Sequence, residues 1–299
     1  ILQLDSPFLL NSKFAKVRAY MGSSAVEIDC TFQGNEPDAL RHALYRIQRE
    51  AEDAVRGGAT HIILTDEKMG KDAVPLPMIL AAGAVHTHLV RSELRTYTSI
   101  NVRAAEGFDV HYVAVMVGVG ATTVNLYLAQ EAIADRHARG LFGDLDLETC
   151  LDRYKKSIED GLLKVLSKMG ISVISSYRGG YNFEAIGLSR SLVAEFFPGL
   201  PSRISGIGLT GIQKKVVEAH NRAFNADTIA LPVGGFYRYR RGGEAHAWEA
   251  NLIHMLQHAV ATDSYTSYRK YSDAVHSLPP INLRDLLAFD YHGQPAPID

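Results

Sequence analysis

Three short apolar runs begin about one βα unit apart: "AVEIDC" at 25–30, "HIILTD" at 61–66 and "RTYTSINV" at 95–102. Between them lie stretches with apolar residues at helical spacing. "EPDALRHALYRIQREAEDAVRGG" has Pro37 suited to a first helical turn and Gly57-Gly58 suited to a stop. "VPLPMILAAGAVHTHLVR" (74–91) reads as a buried helix entered through prolines. Parallel strands need long, right-handed crossovers, and this spacing supplies them. The rhythm then continues with a helix at 106–120, a strand at 121–125 and two further helices. Gly170 is placed to end the last of these, because glycine enters the left-handed C-cap without a Cβ clash. "ISVISS" (171–176) is then predicted as a fifth strand, with Tyr177-Arg178-Gly179-Gly180 leaving it. Five strands are too few for a closed eight-stranded barrel. The expected fold is α/β: a partial, degenerate βα barrel with mainly parallel strands.

After about residue 200 the alternation stops. "LPSRISGIGLTGIQKKVVEAHNRAFN" reads as a loop and a helix, and the rest as an aromatic, basic segment followed by helices and a tail. The expected division is a central α/β domain over 1–205 and a mostly helical C-terminal arm over 206–299. A formal charge of −2 argues against nucleic acid or an anionic membrane as partner, since both select basic faces. No run is long and apolar enough to span a bilayer. Two distant cysteines, Cys30 and Cys150, fit a reducing, cytoplasmic setting. Ile1 begins the chain without a signal peptide's basic start, so the sequence reads as a piece of something longer.

Candidate chemistry is thin. "GIGLTG" (206–211) matches the dinucleotide pattern, yet "FFPGLPSRIS" leaves no room for a buried strand before it, and a loop-to-helix entry is the simpler reading. His86 and His88 lie two apart on a helix and point to different sides, which suits packed histidines better than a metal pair. Cys30 lacks a neighbouring histidine motif. Asp66 sits where barrels keep catalytic groups and is equally a turn cap; both readings stand. Arg178 with the Gly179 and Gly180 amides could form an anion nest at the start of "NFEAIGLSRSLVAEFF", or pair with a carboxylate on an adjoining domain. Arg238, Arg240 and Arg241 beside tyrosines and Trp248 have the composition of a protein contact.

The strings "GLLKVLSKMGISVISSYRGG", "GGATHIILTDEKMG", "PMILAAGAVHTHLVR", "GVGATTVNLYLA", "PSRISGIG" and "GGFYRYRRGGEAHAW" closely resemble the glutamate synthase large subunit, in particular its bacterial NADPH-dependent branch. The resemblance covers nearly the whole chain. It implies a central domain, a degenerate barrel without FMN, joining an N-terminal amidotransferase domain to an FMN-binding synthase barrel. It also implies a share in the wall of an ammonia tunnel. The parent enzyme would make glutamate from glutamine and 2-oxoglutarate with FMN and an iron–sulfur cluster, while a small partner subunit carries FAD and NADPH. The amidotransferase cysteine is absent here, and two distant cysteines cannot ligate the cluster. This chain is therefore expected to hold no cofactor or metal and to be catalytically inactive. Lys168, Ser176, Tyr177, Arg178, Arg238, Arg240, Arg241 and Trp248 become expected contacts to neighbouring domains. A vestigial phosphate or nucleotide site at 178–180 or 206–211 is the alternative.

Overall fold

The computed structural model describes residues 2–227, 233, 239–289 and 293. Two compact units divide between Asn225 and Ala226. The first opens with α1 (Asn11–Met21), β1 (Ala25–Asp29), a two-residue β2 (Thr31–Phe32), α2 (Ala39–Arg56) and β3 (His61–Thr65). Next come a two-residue β4 (Val74–Pro75), α3 (Met78–Arg91), β5 (Ser99–Ala104), α4 (Val110–Gly118) and β6 (Thr123–Leu126). The helices α5 (Tyr127–Ala138), α6 (Leu147–Lys168) and α7 (Ile174–Tyr177) follow. The unit closes with β7 (Ile186–Leu188), α8 (Arg190–Phe196), β8 (Ile204–Ile207) and α9 (Leu209–Ala223).

β1, β3, β5 and β6 form one parallel sheet in that order, each strand beside the next in sequence, which is the arc of a βα barrel. Alternation along β3 explains how four strands suffice. Ile62 and Leu64 enter the main core, with the apolar face of α2 (Leu40, Leu44, Ile47) and the nearly all-apolar α3. Ile63, between them, belongs to a second cluster with Phe14, Val17 and Met21 of α1. α1 thus covers the sheet face that barrel closure would otherwise hide. Each fully buried Leu or Ile on α2 contributes roughly 1.5–3 kcal/mol. The Ala81-Ala82-Gly83-Ala84 run lets α3 lie close to its neighbours. A Cβ on Gly83 would stand 2.2 Å from the Phe197 ring.

The predicted strand at 171–176 does not form. Gly170 does end α6, at φ +68°, and the Ile171 amide bonds the Leu166 carbonyl, closing the helix as a glycine C-cap does. The chain beyond is irregular and then makes the single turn α7. The reason lies at the sheet edge. β6 already has a partner on its free side, since Leu9 N–H donates to Val124 O (2.9 Å) and Val124 N–H to Pro7 O (2.8 Å). The edge beside β6, where the next strand of a βα arc would pair, is therefore taken, and Val173 is 53% exposed.

The expected boundary at 205/206 also moves. β8 pairs in parallel with β7, so β8 and α9 belong to the first unit. The second unit contains α10 (Ala250–Ala261) and α11 (Tyr265–His276). A short turn with Asp263 in the left-handed region joins them, and Ser264 caps α11 by accepting from Ser267 N–H. Among the described residues of this unit the regular elements are helical.

Candidate functional site

In a βα arc the strand C-termini are the customary place for chemistry. Here they present Cys30 after β1, Asp66 and Glu67 after β3, Ala105 and Glu106 after β5, and Tyr127 after β6. The carboxylates at this address are occupied. Asp66 accepts from Ala105 N–H (3.2 and 3.0 Å to its two oxygens) and from the Tyr127 hydroxyl, tying the end of β3 to β5 and α5. Burial pushes its carboxyl up to about 6. Glu106 accepts from Met78 N–H (2.8 Å) and from the Tyr112 hydroxyl (2.8 Å), and burial raises its pKa as well. α3 enters through Pro77, which gives it no side-chain cap. Glu106, from another βα unit, supplies that cap and sets a negative charge at the helix N-terminus. Glu67 pairs with Arg103 (2.7 Å), whose guanidinium lies between the rings of Phe14 and Tyr127, 5.1 Å from each.

Cys30 is fully buried. Burial, chiefly, and then the charge of Asp66 push its thiol far above the normal range. The thiolate is the reactive form. Cys30 should therefore resist a thiol reagent in the native chain and react only on unfolding in guanidinium, as absorbance with a chromogenic disulfide would record. Rapid native labelling of Cys30 would contradict the packing.

The two histidines diverge as helical spacing requires. His88 Nε2 lies 2.6 Å from Glu52, whereas His86 Nδ1 accepts from Arg95 Nε (3.0 Å). Among the described residues no cluster of three or more His, Cys, Asp or Glu is placed to hold a metal. No described helix is long and apolar enough to cross a membrane.

The expected contact residues separate. Lys168, at the end of α6, and Ser176 and Arg178 are exposed. Tyr177 is not presented outward. It is 3% exposed and part of the main core, because α7 turns its ring beneath the surface. Arg240 and Arg241 are exposed, Trp248 is 70% exposed, and Arg238 lies outside the described residues. The anion nest at Gly179-Gly180 is closed. Gly179 N–H donates to Val117 O (3.1 Å) and Gly180 N–H to Tyr177 O (3.0 Å). The helix expected to follow them starts only at Arg190, capped by Ser189.

The glycine pattern at 206–211 begins within a strand, where a loop was expected. That strand, β8, is exposed along its length and, among the described residues, pairs only with β7. A Cβ on Gly206 would fall 2.1 Å from Gly187 O, so this glycine admits the neighbouring backbone.

Sequence reasoning missed Arg95. It lines an open cavity of about 530 Å³ at the opposite, N-terminal end of the strands, with His61, His86, Ser99, Thr122 and Arg178. Arg95 bonds Thr98 O (2.6 Å) and Gly120 O (2.8 Å) besides His86. The surrounding run "SELRTYTS" carried no periodic signal to mark it.

Residues 1–189 match the family model described as "Glutamate synthase central domain". A glutamate synthase [NADPH] large chain of Azospirillum brasilense is 64% identical over 300 residues, covering 100% of this chain and 20% of that protein. The Bacillus subtilis glutamate synthase [NADPH] large chain is 35% identical over 301 residues, again across 100% of this chain and 20% of the relative. The glutamate synthase [NADH] of Saccharomyces cerevisiae is 31% identical over 310 residues, covering 98% of this chain and 14% of that protein. The chain thus spans about a fifth of the length of the large chains it matches. With the parallel βα arc described above, these matches place the chain in the glutamate synthase central domain family.

Proposed function

We propose that this chain serves a larger glutamate synthase as its middle section. It joins an amidotransferase domain to an FMN-binding synthase domain, contributes to the wall of the ammonia tunnel and performs no chemistry itself. Within the parent enzyme, glutamine and 2-oxoglutarate would become glutamate with electrons from NADPH, delivered through a small partner subunit. The observation that carries this reading is the fate of the strand C-termini. Asp66 and Glu106 are spent on the Ala105 and Met78 amides and on two tyrosine hydroxyls. General acid–base or nucleophilic catalysis needs a group free to meet substrate, and these hold chain segments together instead. The residues do not fit the parent's cofactors either. Cys30 and Cys150 are both buried, and the Gly179 and Gly180 amides already have acceptors. The exposed Lys168, Ser176, Arg178, Arg240, Arg241 and Trp248 are the proposed contacts to neighbouring domains.

Purified chain should give glutaminase and NADPH-dependent glutamate-forming rates indistinguishable from buffer. Turnover that co-purifies with the chain and falls in Asp66→Asn or Glu106→Gln would overturn the reading.

A further inference from the structure

The cavity at the N-terminal ends of the strands has the wrong charge balance for a structural cluster. Arg95 carries five N–H donors, and three are committed, to the His86 ring, Thr98 O and Gly120 O. All three acceptors are neutral. Arg178 enters the same cavity with a guanidinium that makes no hydrogen bond or ion pair among the described residues. His86 adds a third donor by necessity. Its Nδ1 accepts from Arg95, so the neutral ring carries its proton on Nε2. Gly179 leaves room beside that proton, since a Cβ there would lie 3.2 Å from Nε2. The rest of the lining is His61, Thr60, Thr96, Thr98, Ser99, Thr122 and Tyr97, with no aspartate or glutamate.

Two arginines facing one cavity without a carboxylate repel each other, and burial of one sharpens the cost. Burial and then Arg178 depress Arg95 to about 10, and burial with both arginines depresses His86 to about 4. Arg18, Arg41 and Arg103 of the same unit each meet an acid, Glu27, Glu195 and Glu67, whereas the two arginines of this cavity meet none. Water can meet the hydrogen bonds that remain, but only an anion from outside the lining also offsets the paired positive charge. Guanidinium groups match the two-oxygen edge of phosphate or carboxylate, and the neutral imidazole adds a directional N–H.

We propose that this cavity, formed by Arg95, Arg178 and His86, is a binding site for an oxyanion of the phosphate or carboxylate class. The site stands at the opposite end of the strands from Asp66 and Glu106 and does not rest on the catalytic silence proposed above.

Inorganic phosphate is the probe. Titrated at constant ionic strength near pH 7.5, with chloride as the reference salt, it should bind the chain saturably at one site by calorimetry. Arg178→Ala removes an exposed side chain without hydrogen bonds and should leave the melting temperature in chloride unchanged while weakening phosphate at least about tenfold, or about 1.4 kcal/mol. Arg95→Lys keeps the charge but loses the fork geometry, and should weaken phosphate by a similar factor. The same titration on the intact large chain identifies the source of the anion. Retained binding means a free ligand; binding lost in the intact chain but present here means that a carboxylate of the parent enzyme fills the cavity. No saturable binding to the isolated chain, or binding equal in wild type and Arg178→Ala, overturns the proposal.

Discussion

Gly120→Ala is expected to destabilise the first unit by about 2–5 kcal/mol, combining backbone strain with overpacking. Gly120 has φ +118°, a conformation that side-chain-bearing residues rarely adopt. The added Cβ would also fall between 2.3 and 2.9 Å from Nδ1, Cγ and Cβ of His86. The histidine cannot step aside cheaply. Arg95 donates to its Nδ1, and the same guanidinium is anchored on Gly120 O. Denaturant unfolding of the first unit measures the loss. Gly140→Ala is the control, because Gly140 has φ +70° with nothing within 4 Å of the added Cβ. It should cost about 1 kcal/mol from strain alone. Equal losses at the two positions would mean that His86 is not held as described.

Asp66 should impose an acid-side dependence on stability. Folded, its pKa is near 6; unfolded, it returns to the ordinary aspartate value near 3.8. Between these values the folded chain holds the extra proton, so this group makes stability fall as pH rises from 4 to 6 and level off above. The span is worth about 3 kcal/mol. His86 acts in the opposite direction. Its folded pKa, near 4, lies below the normal value of 6.5, so its contribution is lost as pH falls from 6.5 toward 4. Asp66→Asn isolates the first effect, since contributions from His86 and other groups cancel in the difference. The advantage of the variant over wild type should grow by up to about 3 kcal/mol from pH 4 to pH 7. A difference that stays constant with pH would show that Asp66 is ionised throughout.

The parallel arc was legible because burial on both faces leaves near-continuous apolar runs, and "HIILT" and "TVNL" are such runs. The helix stops at Gly58 and Gly170 were legible for the same local reason, a positive φ that favours glycine. "ISVISS" misled because strand propensity describes the segment and says nothing of whether an edge is free. Residues 7–9, more than a hundred positions away from β6, decided that question. β8 was missed from the opposite side: "ISGI" is short, exposed and broken by glycine, and its pairing depends on Gly187 and Gly206 approaching backbone to backbone. Tyr177 was read as displayed because a strand end was expected before it. At the candidate sites, the roles of Glu106 and Arg95 depend on distant amides, carbonyls and a histidine ring that linear spacing does not reveal.

The strap formed by residues 7–9 sets where this arc can be cut. A shortened chain beginning at Ala25 would contain every strand of the sheet and every βα connection. It would also uncover the outer edge of β6, freeing the Val124 N–H and C=O that Pro7 and Leu9 now satisfy. The Asn125 side-chain amide would lose Leu9 O and Asn11 Oδ1 as acceptors. A bare, flat, apolar strand edge recruits a second chain. Such a truncation should therefore elute as dimers and larger aggregates, whereas one beginning before Pro7 keeps its own stopper.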